Sequence, residues 1–180
     1  MNLKPALSCW AAVALLVGCA NPRWLQNPIA GEPLSGRLTV RVDATPSQDA
    51  RSMTAAFELQ GNAEQGRLDL STPLGTVLAR ARWAPGQVAL VTSQGETRFA
   101  DLDALTHEVL GESVPLAALF DWLSGRPWPG APSVPITSPT GPGFVQLGWA
   151  VSLARFQEGW IAARREQAPV VTVRAKLDRP

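Results

Sequence analysis

The strongest constraint on this chain is an alternation of apolar and polar residues that returns repeatedly at a period of two. It is plainest between Gly66 and Trp83. Leu68 and Leu70 alternate with Arg67 and Asp69. Val77, Ala79, Ala81 and Trp83 then alternate with Leu78, Arg80 and Arg82. Successive residues of a strand point to opposite faces, so the pattern predicts two strands, each with one wet and one dry face. Between them, Pro73 presets φ for a β-turn and Gly75 tolerates a positive φ. Leu74 is the odd member. Turn tips are normally polar and solvated, so a leucine there is either folded back onto the core or held out for a partner.

The same alternation recurs along the chain. Leu38, Val40 and Val42 form one dry face, and Ala55, Phe57 and Leu59 another. Residues 88–92 and 96–99 read as short strands. Turns between sequential strands imply an antiparallel meander. The period then changes. Leu102, Leu105 and Val109 share a helical face that stops at Gly111. Leu116, Leu119, Phe120 and Leu123 follow at i, i+3, i+4, i+7, with Ser113 as the expected cap near Pro115 and Gly125 past the end. Residues 126–143, rich in Pro, Gly and Ser, read as a loop. Residues 144–153 read as one strand with Val145, Leu147, Trp149, Val151 and Leu153 on one face. Residues 160–164 and 171–178 complete the set. The expected fold is mainly β, with a short helical insertion covering one opening or face of a curved sheet. At 180 residues the chain is one domain's worth.

The N-terminus carries a second signal. Lys4 precedes a nearly continuous apolar run, residues 6–17, which suits a signal-peptide core and is short of the roughly 20 residues a spanning helix needs. Leu16-Val17-Gly18-Cys19 resembles the bacterial lipoprotein signal, in which cleavage occurs before a cysteine that is diacylated and then acylated again on its amino group. The resemblance implies a signal peptide over residues 1–18, lipid on Cys19, a lipidated tether over 19–33 and a folded domain over 34–180. Cys9 would leave with the signal and Cys19 would carry lipid, so no disulfide forms within the chain. No aspartate follows the cysteine; Ala20 stands where inner-membrane retention would place one, which favours the outer membrane.

Several chemistries are disfavoured. The net charge is +1, and it falls to zero with Lys4 removed, so there is no electrostatic footprint for nucleic acid. His107 is the only histidine, and no serine motif accompanies it, so no catalytic residue is assigned. Cys and His are too few for a metal cluster. No Gly-rich phosphate loop is present. Asp101 and Asp103, at i, i+2, point to different helix faces and fit the first-turn preference for acids. Arg80 and Arg82 read as the wet face of their strand, or as a dock for an acidic partner. Six tryptophans remain after the signal: Trp24, Trp83, Trp122, Trp128, Trp149 and Trp160. They suit either a packed core or the lining of an apolar cavity.

Four segments, in order, carry a family resemblance: Gly36-Arg37-Leu38-Thr39-Val40-Arg41-Val42; Leu70-Ser71-Thr72-Pro73-Leu74-Gly75-Thr76; residues 115–127, Pro-Leu-Ala-Ala-Leu-Phe-Asp-Trp-Leu-Ser-Gly-Arg-Pro; and Gly148-Trp149-Ala150-Val151. Together with the Cys19 signal they resemble the outer-membrane lipoprotein receptors of the LolB family. The resemblance implies a half-open antiparallel β-barrel with helices inside or over its mouth. It implies a monomer, lipid-anchored at the periplasmic face of the outer membrane, that takes acylated lipoprotein cargo from the carrier LolA and inserts it into that membrane. Pro73, Leu74 and Gly75 would form the membrane-insertion loop. Trp83, Phe120, Trp122, Leu123 and Trp149 are the expected acyl-chain cavity, and no cofactor is expected beyond the lipid on Cys19. The Pro-rich 127–142 loop and the absence of tyrosine depart from the family pattern. The competing reading is a structural outer-membrane lipoprotein with a filled core, binding protein or peptidoglycan. A hydrolase is a weaker third, opposed by the lack of a His-based site.

Overall fold

The computed structural model describes residues 29–138 and 141–178; the signal segment, Cys19 and Trp24 lie outside them. Six strands come first: β1 (Leu34–Val42), β2 (Arg51–Gly61), β3 (Gly66–Ser71), β4 (Val77–Ala84), β5 (Gln87–Thr92) and β6 (Gly95–Phe99). Helices α1 (Leu102–Leu110) and α2 (Leu116–Leu123) follow. The chain ends with β7 (Ser133–Ser138), β8 (Gly141–Gln146), β9 (Trp149–Ser152), β10 (Trp160–Arg165) and β11 (Val171–Leu177). All eleven join one antiparallel sheet in the order β6-β5-β4-β3-β2-β1-β11-β10-β9-β8-β7. The first and last strands therefore pair, at mid-sheet, and β6 and β7 are the edges. The sheet does not close into a barrel. This is the expected mainly-β, half-open architecture, and all of its strands and helices lie between Leu34 and Leu177.

Register places the apolar alternation on one face. Leu38 sits between Ala55 and Ala175, and Val40 between Met53 and Val173. Leu38, Val40, Val173 and Ala175, with Phe57, Leu59, Val171 and Ile161, join one continuous buried cluster, and Met53 packs against it. The helices connect one sheet edge to the other, so they must cross the gap between them. α2 turns Leu116, Ala118, Leu119, Trp122 and Leu123 into the same cluster. Each large apolar side chain buried this way contributes about 1.5–3 kcal/mol, which holds a helix of two turns that propensity alone would not.

α1 is capped at both ends. The Asp101 carboxylate accepts from the Ala104 N–H at 2.7 Å, where an acid also suits the helix dipole. Gly111, at φ 75°, donates its N–H to the His107 carbonyl at 2.8 Å. α2 starts differently from expectation. Its N-cap is Pro115 with no side-chain cap; Ser113 does not cap it. Burial of its apolar face substitutes for the missing hydrogen bond.

Two further expectations are corrected. The stretch 144–153 is two strands, not one. Leu147 (φ 53°) and Gly148 (φ 76°) make a two-residue turn of the kind that joins right-twisted strands. The turn reverses the chain between Gln146 and Trp149, which pair directly. Phe144, Gln146, Trp149 and Val151 therefore face inward, while Val145 and Leu147 face water. The Pro-rich stretch 127–142 is also not wholly loop. It contains β7, an edge strand that accommodates Pro135 because an edge can spare an N–H.

Candidate functional site

The β3–β4 hairpin is braced at its tip. Thr72 donates its N–H to the Thr76 carbonyl at 2.9 Å, and Gly75 donates to the Thr72 carbonyl at 2.9 Å. The Thr76 N–H reaches the Thr72 hydroxyl at 3.2 Å. Pro73 and Leu74 occupy the middle of this turn, and Gly75 takes the φ of 87° that a side chain would resist. Leu74 is 96% exposed. It is held out, not folded back. A register shift between Leu70 and Ser71 accompanies Val77 and Leu78, which are 52% and 48% exposed. The tip is thus a small apolar projection on an ordered frame. Lower in the hairpin, Arg80 grips Asp69 through two bonds, 2.5 and 2.6 Å. That hydrogen bonding, above all, raises the Arg80 pKa. Arg80 is therefore a paired residue of the wet face.

The other face of the same hairpin lines a cavity of about 60 Å³. Its walls come from β1 (Leu38, Val40), β3 (Leu68, Leu70), β4 (Ala79, Ala81) and β5 (Leu90), with Met53 and Val173. α1 supplies Leu105, Val109 and Leu110; α2 supplies Leu116 and Leu119. A cavity touched by six strands and both helices shows that the sheet curls around the helices. Its one polar lining residue is Thr106. That hydroxyl donates toward the Asp103 carbonyl (3.1 Å) and accepts from the Val114 N–H (3.1 Å), so it is already satisfied. The space is several times the roughly 10–15 Å³ one water needs, but it is apolar, and such cavities stay dry and take hydrocarbon. As it stands it admits a few carbons of an alkyl tail.

The five residues expected to form an acyl site lie in the same core but not around this cavity. Trp83 packs its indole over Gly66, where an added Cβ would meet the ring at 2.4 Å. Its Nε1–H donates to the Asn62 carbonyl at 2.9 Å. Phe120 meets Trp83 edge-on at 5.8 Å between centroids. Trp122 packs against Phe144 at 6.4 Å and Trp149 at 6.2 Å, and Leu123 is buried beside it in α2. The lining is aliphatic because an indole fills the space it occupies, whereas Ala79 and Ala81 leave theirs open. Cys19 lies outside the described residues.

Gln146 was not anticipated. It is buried, and its amide makes four bonds. The Oε1 accepts from Trp122 Nε1 (2.8 Å) and from the Trp128 N–H (2.9 Å). The Nε2 donates to the carbonyls of Trp128 and Ala131, both at 2.7 Å. It ties α2 and the loop after it to β8. Arg165 performs a similar service for the link between the helices. It pairs with Glu112 at 2.5 Å and lies 5.7 Å from the Trp149 ring centroid. His107 is exposed, and no group of three or more His, Cys, Asp or Glu that could hold a metal occurs among the described residues.

A curled, unclosed antiparallel sheet with two helices over an aliphatic cavity defines the class of the chain, and two of the strands that line the cavity carry the apolar tip. Comparison with known proteins narrows this. The family model described as outer membrane lipoprotein LolB matches residues 33–176. The outer-membrane lipoprotein LolB of Bordetella petrii is 30% identical over 177 residues, 93% of this chain and 88% of that protein. The LolB of Cupriavidus pinatubonensis is 33% identical over 159 residues, 85% of this chain and 77% of that one. The chain belongs to the LolB family of outer-membrane lipoproteins.

Proposed function

We propose that this chain, anchored by lipid on Cys19, accepts acylated lipoproteins from LolA and inserts them into the outer membrane. A 16-carbon acyl chain entering water loses on the order of 12 kcal/mol, at ~0.8 per methylene. A triacylated protein therefore needs a shielded route. The observation that carries the reading is continuity. Leu70 and Ala79 line the cavity, and the same two strands run out to Leu74, 96% exposed on a braced turn. Acyl chains held under the helices would have an apolar edge leading to the bilayer. The resting cavity is small, so loading requires α1 and the first turn of α2 to lift from the aliphatic side, while Trp122 stays bonded to Gln146. Trp83, Phe120, Trp122, Leu123 and Trp149 then form the floor of the widened site. Transfer runs downhill in affinity and uses no nucleotide.

The competing reading, a structural lipoprotein with a filled core, draws on the interlocked tryptophans. A hydrophobic fluorophore separates the two. Stoichiometric binding, displaced by acyl ligand, supports the receptor; no binding supports the filled core. The decisive assay mixes the protein with LolA carrying labelled lipoprotein and follows the label into vesicles. Leu74→Glu is expected to take up the label as the parent does and to fail in passing it to the bilayer, at least tenfold slower, with folding stability changed by less than ~0.5 kcal/mol. Normal delivery by that variant would remove the loop from the mechanism.

A further inference from the structure

We propose that the outward face of the sheet, from Pro73 across β1 and β11 to Trp160, binds the phosphate headgroups of an anionic bilayer. The proposal rests on the reading of Leu74 as the residue that enters the membrane.

A shallow depression of about 330 Å³ on this face has Pro73 as one wall and Trp160 among the others. Arg37, Arg174 and Lys176 line it, against one carboxylate, Asp178. Register sets the pattern. Ala56, Arg37, Lys176 and Trp160 form a single row across β2, β1, β11 and β10. Arg37 and Lys176 are thus like charges placed directly opposite, an arrangement that destabilises a sheet. Among the described residues neither Arg37 nor Arg174 has a carboxylate within 4 Å, whereas Arg41, Arg67, Arg80, Arg126 and Arg155 are each paired. Lys176 is partly offset, since its ammonium donates to the Glu158 carbonyl with the Glu158 carboxylate nearby, but Arg37 and Arg174 are left without such a partner.

Trp160 supplies the second observation. It is 36% exposed, with the Arg155 guanidinium 5.4 Å and the Lys176 ammonium 5.7 Å from its ring centroid. An indole half in water and flanked by cations matches the headgroup layer, where tryptophan is favoured. Neighbouring strands are ~4.8 Å apart, so the cations spread over a plane instead of converging on one ion. A plane of phosphates fits that spread. An acidic protein could meet the charges, but it would not account for the shared wall with the Leu74 turn. The face would dock the domain on its side and bring Leu74 to the bilayer.

The test uses the chain from Ala20 onward, which contains every strand and helix described and carries no acyl group. Its partition is measured onto vesicles of phosphatidylcholine, with and without phosphatidylglycerol. The parent should prefer the anionic vesicles at low salt, and the preference should shrink as ionic strength rises to ~0.15 M. Arg37→Gln, Arg174→Gln and Lys176→Gln combined should weaken binding to anionic vesicles on the order of 100-fold, about fivefold for each single change. Thermal melting checks the fold; Arg37→Gln alone should not lower it, since it relieves a like-charge pair. Leu74→Glu should keep the anionic preference while losing binding to neutral vesicles. A parent without preference, or a triple variant that binds anionic vesicles undiminished, overturns the proposal. So does a triple variant that keeps vesicle binding but loses uptake from loaded LolA, which would assign the face to an acidic protein. If cargo delivery fails in the parent while the anionic preference survives, the receptor reading falls and this one stands.

Discussion

The inner face of the sheet has two unlike halves. Over β8 and β9 it is aromatic and closed. Trp122, Phe144 and Trp149 interlock there, and Gln146 anchors both Trp122 and the following loop with four short hydrogen bonds. Over β3, β4 and β5 the part that lines the cavity is aliphatic and incompletely filled, walled by Ala79 and Ala81 with Leu105, Leu110 and Leu119, while Trp83 of β4 lies outside it. Directional bonds and large planar rings fix one arrangement in the first half. The second half is held mainly by non-directional burial, apart from the bonds of Trp83 to Asn62 and of Thr106 to Val114, and dispersion contacts are missing where the cavity lies. One molecule thus carries a rigid floor and a yielding side, and the yielding side is the one continuous with the exposed hairpin tip. Under the proposed function, such a division would let α1 part from β3–β5 while α2 stays tied to β8 through Trp122 and Gln146.

The contrast can be broken from either side. Trp122→Ala should cost about 3–5 kcal/mol of unfolding free energy, through the void it leaves and the loss of a Gln146 partner; urea denaturation reads this directly. Gln146→Leu keeps the volume but strands the Trp122 and Trp128 donors, and should cost about 2–3 kcal/mol. On the aliphatic side, Ala81→Leu fills space. It should weaken binding of a hydrophobic fluorophore about tenfold while changing stability by less than ~1.5 kcal/mol. If Ala81→Leu proved as damaging as Trp122→Ala, the two halves would not differ in the way described. The smallest effect belongs to Leu147→Gly. Leu147 holds φ at 53°, where glycine sits without strain, and it is 46% exposed; the change should stabilise by about 0.5–1 kcal/mol.

Strand alternation made most of this sheet legible from sequence, because β1, β2, β4 and β11 bury every second residue. The helices were legible from their 3.6-residue spacing and from Asp101 and Gly111 at the ends of α1. What misled was parity. A two-residue turn at Leu147–Gly148 switches which residues face inward, and a leucine at positive φ gives no warning of it. The same switch turns Gln146 inward. β7 was hidden by its proline, since only its place at an edge makes Pro135 tolerable. The exposed Leu74 was legible because an apolar residue at a Pro-Leu-Gly tip violates a local rule. The aliphatic cavity was not, because voids are made by small residues, and alanines in a strand announce nothing.

The pairing of β1 with β11 has a consequence for where the preceding chain joins the fold. β1 is the sixth of eleven strands, so whatever precedes Leu34 joins the fold at its spine, as many strands from either edge as the sheet allows. The opening between β6 and β7 is on the far side. Entry at the back keeps the strand that receives the preceding chain away from both edges and from the gap between them.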